Sequence, residues 1–112
     1  MIKVEAIIRP EKLDDVKDAL EEIGIQGLTV TNVVGAGKQG GKTQFYRGME
    51  YSINLLDKTK IETVVLEDAV EEVISAIRNA AMTGEIGDGK VFLTRIDDVI
   101  RIRTGERGTA AL

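Results

Sequence analysis

An internal repeat constrains the fold of this 112-residue chain more than any other feature of its sequence. Residues 3–8, KVEAII, align without a gap on residues 60–65, KIETVV. The register continues through two segments whose apolar residues recur at helical spacing, with Leu13, Val16, Ala19 and Leu20 falling on Val70, Val73, Ala76 and Ile77. Each copy therefore predicts a strand followed by an amphipathic helix.

Local signals mark the ends of the two helices, and a further strand comes after each of them. Pro10 suits the first turn of the first helix and Gly24 its end, whereas Glu67 places negative charge at the start of the second. The additional strands are predicted at residues 28–34 and 90–96. Two tandem βαβ units predict an α+β ferredoxin-like sandwich, with both helices on one face of an antiparallel sheet.

The other face of that sheet combines charged and apolar residues. It carries two alternating sets, Lys3, Glu5, Ile7 and Arg9 from one strand and Lys60, Glu62, Val64 and Leu66 from its repeat partner. This mixture predicts cross-strand ion pairs and burial against further copies of the chain. A solvated face with scattered apolar residues is the alternative.

Composition excludes several classes of function. The chain has no Cys, His or Trp, so thiolate and imidazole chemistry are absent, and a cytoplasmic protein without disulfides is expected. A net charge of -4 argues against sequence-independent nucleic-acid binding, and no apolar run is long enough for direct membrane insertion. No Ser, Tyr, Lys or carboxylate stands in a recognisable catalytic spacing, so we expect no catalytic residues and a binding protein rather than an enzyme.

Two glycine-rich segments are the candidates for binding. Residues 36–54 form a long connection rich in Gly, Lys and Gln, a length that is uncommon unless the segment is functional or disordered. Residues 35–41 and 87–90 could each be only a loop stem or a tight turn. The alternation at residues 100–103 predicts an extended segment with two arginines on one side. Four basic residues would form a polyphosphate site if they converge with the two glycine-rich segments: Lys38, Lys90, Arg101 and Arg103.

Four stretches resemble the PII nitrogen-regulatory signal-transduction family. Residues 83–92, TGEIGDGKVF, resemble its nucleotide-loop signature, and residues 99–106, VIRIRTGE, its C-terminal segment. Residues 46–51, YRGMEY, resemble the signature of its long T-loop, and residues 23–30, IGIQGLTV, its second-strand entry. The resemblance covers essentially the whole chain. It implies one domain, 1–112, with a T-loop at 36–54, a nucleotide loop at 82–90 and a C-terminal segment at 99–112.

The family resemblance also implies ligands and an assembly. It implies a homotrimer that binds ATP or ADP in clefts between subunits, with adenine and ribose contacts from Ile7, Thr29, Gly35 and Val64. Phosphates would contact Gly37, Lys38, Gly87, Asp88, Gly89 and Lys90, with Arg101 and Arg103 reaching in from the neighbour. In the presence of MgATP, 2-oxoglutarate would bind at Gln39, Gly41, Lys58 and Gly87, with Gln39 also a ligand of Mg²⁺.

The implied function is regulation of ammonium transporters or of enzymes and regulators of nitrogen metabolism through the T-loop. Arg47 would insert into the partner, and Tyr51 matches a tyrosine that some members have uridylylated or adenylylated. Lys38 stands where Arg is more frequent and lacks its bidentate fork, and Met49 excludes phosphorylation at its position. Two alternatives are a small ATP-hydrolysing or phosphoryl-transfer enzyme that uses the same cleft, and an assembly domain without a ligand.

Overall fold

The computed structural model describes residues 1–36, 42–46, 49–53 and 55–112, the two short middle segments as backbone strands only. In chain order the elements are β1 (Ile2–Ile8), α1 (Leu13–Glu22), β2 (Thr29–Ala36), β3 (Lys42–Tyr46), β4 (Met49–Ile53), β5 (Leu55–Val65), α2 (Val70–Ala81) and β6 (Gly89–Arg95). One sheet has the strand order β2-β5-β1-β6, and every neighbouring pair is antiparallel. The predicted ferredoxin-like α+β arrangement is confirmed.

The repeat is visible in three dimensions because each copy forms a strand, a short 3-10 turn and a helix. The 3-10 turns, Pro10–Lys12 and Glu67–Ala69, precede α1 and α2. Gly24 ends the first copy's helix with a φ of +85°, and its N–H donates to the Glu21 carbonyl at 3.0 Å. The core lies between helices and sheet and consists of Ile2, Val4, Ala6, Ile8, Val16, Leu20, Ile61, Val65, Val70, Val73, Ile77 and Ala81.

The open face of the sheet carries the cross-strand ion pairs that the sequence predicts. Two pairs join β1 to β5: Lys60 Nζ lies 3.9 Å from a Glu5 carboxylate oxygen, and Lys3 Nζ lies 3.8 Å from one of Glu62. Lys60 Nζ also lies 3.3 Å from Glu62 of its own strand. These side chains are about a quarter to a third exposed. Ion pairs of this kind contribute little to stability, so their main effect is to neutralise the charged part of the face.

The segment 36–54 differs from the expected loop. Residue 36 still belongs to β2, and β3 pairs with β4 as an antiparallel hairpin, with Lys42 opposite Ile53 and Tyr46 opposite Met49. Residues 37–41, 47, 48 and 54 lie outside the described part of the chain. The sequence has no long apolar run here, but aromatic and β-branched residues such as Phe45 and Ile53 favour strands.

Candidate functional site

A cavity of about 560 Å³ opens where the C-terminal end of β1 meets the N-terminal end of β6. Strand β5, the end of β2 and the loop between α2 and β6 complete its walls. Its lining residues are Ile7, Gly35, Ala36, Leu56, Lys58, Ile86, Gly87, Gly89, Lys90 and Phe92. An apolar wall with a few convergent polar groups is the usual composition of a small-molecule site.

Six residues that the family resemblance assigns to ligands meet in this cavity. Antiparallel pairing places Ile7 of β1 opposite both Lys60 of β5 and Lys90 of β6. The six are Ile7, Gly35, Lys58, Gly87, Gly89 and Lys90. This lysine cavity thus combines the ammonium groups of Lys58 and Lys90 with the backbone of a glycine-rich turn, a combination suited to anionic ligands.

Lys58 connects β5 to the loop. Its Nζ donates a hydrogen bond to the Gly87 carbonyl at 2.7 Å. A Cβ added at Gly35 would lie 3.3 Å from Lys58 Cγ, so the glycine leaves room for the lysine stem. Burial, followed by the nearby Arg9 charge, lowers the pKa of Lys58, while Glu11 and Asp88 oppose the shift.

Gly89 has a steric role that its sequence position did not reveal. Its φ is +106°, and an added Cβ would lie 1.7 Å from the Ile7 carbonyl oxygen, which is backbone and cannot move aside. Glycine is therefore required for β6 to approach β1 at the mouth of the cavity. This role is independent of any phosphate contact at the same residue.

Asp88 is turned away from the lysine cavity. Its carboxylate accepts hydrogen bonds from the backbone N–H groups of Thr83 and Gly84, from the Thr83 hydroxyl and from Arg9 Nε. Hydrogen bonds from Thr83, and then from Gly84 and Arg9, hold the pKa of Asp88 far below its usual range. Asp88 instead lines a second cavity, of about 380 Å³, on the helix side of the loop. The assignment of Asp88 to the phosphates stays a prediction, and its carboxylate is engaged by hydrogen bonds within the loop and to Arg9.

Arg103 lies in a turn, so the prediction of an extended segment that carries both arginines on one side is wrong. The Gly105 N–H donates to the Arg101 carbonyl at 2.7 Å and closes a turn at residues 102–104, which the φ of +74° at Gly105 permits. The Arg101 guanidinium pairs with Glu106 at 2.8 Å. Arg103 is exposed, and neither arginine lines the lysine cavity within one chain.

The remaining predicted residues fall into two groups. Thr29 is exposed at the start of β2 and Val64 is half-buried near the end of β5, both away from the cavity lining. The second group belongs to residues 37–54, whose side chains the structure does not describe. Gly37, Lys38, Gln39, Gly41 and Arg47 lie outside the described residues, and Tyr51 is placed only as backbone of β4.

Sequence reasoning missed some of the site. Phe92, Ile86, Leu56 and Ala36 line the cavity, and Arg9 and Thr83 hold the loop that forms one wall. A signal for a turn was present in the glycines at positions 84, 87 and 89, because glycine is the residue most typical of turns that need a positive φ. Nothing comparable marks the apolar lining, whose members become neighbours only through strand pairing.

The described part of the chain offers neither a metal site built from protein side chains alone nor a membrane-spanning helix. In that part no three acidic side chains lie close enough together to hold a metal ion. Neither of the helices found there is long and apolar enough to cross a membrane. The cavity itself presents cations, so a divalent metal would fit there only together with an anionic ligand that supplies oxygen atoms.

Fold and cavity together define a small ferredoxin-like protein with the chemistry of an anion-binding module. The family model "Nitrogen regulatory protein P-II" matches residues 1–106. The chain belongs to this family. It is 56% identical over its full length to all of "Nitrogen regulatory protein P-II" from Rhizobium meliloti strain 1021.

Two further relatives give the same result. "Nitrogen regulatory protein GlnK" of Escherichia coli K12 is 55% identical over 109 residues, 97% of both chains. The crystal structure of Arabidopsis thaliana PII bound to citrate matches with a TM-score of 0.82 and 46% identity, covering 99% of this chain and 91% of that one. The relatives are named as regulatory proteins rather than as enzymes.

Proposed function

We propose that the protein is a nitrogen, carbon and energy-status regulator that binds ATP or ADP and, with MgATP, 2-oxoglutarate. Segment 36–54, which acts as its T-loop, then controls an ammonium transporter or an enzyme or regulator of nitrogen metabolism in the cytoplasm. Family membership and the names of the relatives support the regulatory part of this proposal. Arg47 is the proposed partner contact and Tyr51 a proposed modification site.

The observation that carries the ligand proposal is the convergence of Lys58, Lys90 and the Gly87–Gly89 turn on one cavity. Ammonium groups and glycine backbone N–H groups are the donors that polyphosphates prefer. The apolar lining beside them, including Ile7 and Phe92, offers a surface for a base. A nucleotide has both parts, a flat aromatic base whose faces pack on apolar side chains and a chain of anions.

A dicarboxylate suits the other half of the cavity. Lys58 presents a cation at the Gly87 carbonyl, and charge-assisted contacts of this type bind carboxylates. The Arabidopsis relative is bound to citrate, another polycarboxylate, which supports a polycarboxylate as a class of ligand. Mg²⁺, arriving with the phosphates of ATP, would add a hard cation for the carboxylate oxygens, with Gln39 as its protein ligand.

A homotrimer would complete the site. Apart from Asp88, four described residues of the predicted nucleotide set lie outside the cavity of one chain: Thr29, Val64, Arg101 and Arg103. A neighbouring copy could supply them if the open, charge-neutralised face of the sheet and its edges lie against other copies. The exposed apolar side chains at the sheet edges, Val30, Val34, Phe92 and Leu93, are consistent with such burial.

Calorimetric titration of 2-oxoglutarate with and without MgATP tests the proposal. We expect nucleotide to bind alone and the metabolite to bind well only when MgATP is present. Gln39→Ala should retain most of the nucleotide affinity and lose the metabolite response. A parent protein that binds neither ATP nor ADP, or that binds 2-oxoglutarate equally well without MgATP, would contradict the proposed function.

A further inference from the structure

The loop between α2 and β6 has an internal support that the proposed ligand contacts do not use. Asp88 Oδ2 accepts from the N–H groups of Thr83 and Gly84 at 2.8 and 2.9 Å, and Oδ1 accepts from the Thr83 hydroxyl. Arg9, just after β1, donates through Nε to Asp88 Oδ1 at 3.1 Å. The same guanidinium donates through Nη2 to the Ile86 carbonyl at 3.0 Å.

We propose that Asp88 and Arg9 are positioning residues, which hold the Gly87–Gly89 backbone ready for an anionic ligand without contacting that ligand. This inference rests on the proposed function and adds the means by which its binding loop is pre-organised. Asp88 fixes the beginning of the loop to its end. Arg9 fixes both to β1, a central strand of the sheet.

The loop needs such support because its backbone is unusually free. Gly84, Gly87 and Gly89 have φ values of +90°, +104° and +106°. Glycine loses more conformational freedom on ordering than any other residue, so a loop with three of them samples many conformations unless its polar groups are held. A carboxylate that accepts several hydrogen bonds at once supplies that restraint from a single side chain.

The effect of removing the Asp88 charge distinguishes a residue that organises the loop from a carboxylate that merely lies near the phosphates. A carboxylate beside a phosphate site repels the ligand, so removing its charge alone would tighten nucleotide binding. Removing an organiser of the loop weakens binding, because the ligand must then order the backbone itself. The two roles therefore predict effects of opposite sign for the same substitution.

Asp88→Asn is the primary test, with Glu85→Gln as its matched control. Glu85 is exposed in the same loop and contributes only its backbone N–H, which donates to the Thr83 hydroxyl, so both variants lose one negative charge at nearly the same place and Glu85→Gln leaves the Asp88 hydrogen bonds intact. Calorimetry should show ATP affinity about tenfold weaker in Asp88→Asn, as expected for the loss of charge-assisted hydrogen bonds, and unchanged or slightly tighter in Glu85→Gln. Affinity in Asp88→Asn equal to or tighter than that of the parent overturns the inference.

Arg9→Lys tests the second member, because it keeps the charge but loses the two-point contact of the guanidinium. Its ATP affinity should fall, and the double variant with Asp88→Asn should bind no more weakly than Asp88→Asn alone, since both residues act through one network. Fully additive losses would show that the two act separately and would overturn the shared role.

Amide hydrogen exchange in the ligand-free protein makes the inference independent of nucleotide binding. The amides of Thr83 and Gly84 should be protected in the parent and in Glu85→Gln, and should exchange faster in Asp88→Asn. Unchanged protection in Asp88→Asn overturns the inference even if nucleotide binds. A parent that binds no nucleotide but shows the exchange difference instead overturns the proposed function and leaves the loop organisation established.

Discussion

Three glycines of this chain differ in backbone conformation and in the space available for a side chain. Comparing them distinguishes the need for a positive φ from the need for space. An added Cβ at Gly27 meets nothing within 4 Å, and its φ is not positive. Gly84 has equal space but a φ of +90°, and Gly89 has both a φ of +106° and a backbone oxygen 1.7 Å from the added atom. Substitution by Ala should therefore cost progressively more along this series.

We expect Gly27→Ala to change the free energy of unfolding by less than about 0.5 kcal/mol. Gly84→Ala should cost about 1–2 kcal/mol, the cost of a left-handed backbone with a side chain. Gly89→Ala should cost about 2–5 kcal/mol, since strand displacement adds to the same strain. Urea unfolding at fixed protein concentration measures the series, and a Gly89→Ala midpoint no lower than that of Gly84→Ala would refute the close approach of β6 to β1.

Single residues also show where sequence reasoning stops. Ile7, Lys58 and Lys90 were assigned by resemblance, and the structure brings them together in one cavity. Asp88 was assigned to phosphate by the same route, which stays a prediction, and the structure adds that its carboxylate accepts hydrogen bonds within the loop. Proximity in a motif does not say which way a side chain turns. That depends on hydrogen bonds to residues such as Arg9, 79 positions away in the sequence.

Among the elements, the helices and the central strands were predictable and the irregular segments were not. Period-3.6 and period-2 apolar patterns determine which face is buried, so α1, α2, β1 and β5 can be derived directly from the repeat. Segment 36–54 lacks such a period, and the short alternation at residues 100–103 did not predict the turn that the structure shows there. The hairpin of β3 and β4 and the turn at 102–104 depend instead on strand pairing and on glycine conformations.

The carboxylate of Asp98 joins the start of the C-terminal segment to residues 107 and 108, and this predicts a pH effect on stability. Asp98 accepts hydrogen bonds from Arg107 Nε at 2.8 Å and from the N–H groups of Val99 and Gly108. The Arg107 hydrogen bond, followed by these N–H groups, lowers the pKa of Asp98. A depressed folded-state pKa adds stability above the unfolded-state pKa of about 3.9, and this stability is lost as pH falls through the lower folded value.

Asp98→Asn should therefore be less stable than the parent at pH 7, and the difference should shrink as pH is lowered from about 5 towards 3. Asp97→Asn is the control, because Asp97 is an exposed neighbour outside this hydrogen-bond network. Urea unfolding midpoints at pH 7, 5 and 3 measure the effect. A constant difference between Asp98→Asn and the parent across this range would mean that the carboxylate charge does not hold the segment.

At the scale of the whole molecule, the predicted nucleotide set is divided between two places on one chain. Lys58 and Lys90 lie in the cavity, whereas Arg101 and Arg103 lie on the C-terminal turn. A head-to-tail trimer would join the cavity of each copy to the turn of the next, so each site would need two subunits. This division can be tested without a structure of the assembly, by combining two defective chains.

Lys90→Ala removes a cation from the cavity, and Arg103→Ala removes one from the turn. Each homotrimer should bind ATP about tenfold to a hundredfold more weakly than the parent, since a charge-assisted phosphate contact is worth about 1.5–3 kcal/mol. If the two variants are refolded together in equal amounts, random assembly gives about one quarter of the sites an intact cavity beside an intact turn. Calorimetry should then detect about 0.25 high-affinity sites per chain, compared with about one in the parent. If the mixed trimers contain no such sites, then Lys90 and Arg103 do not act on one ligand across a subunit boundary.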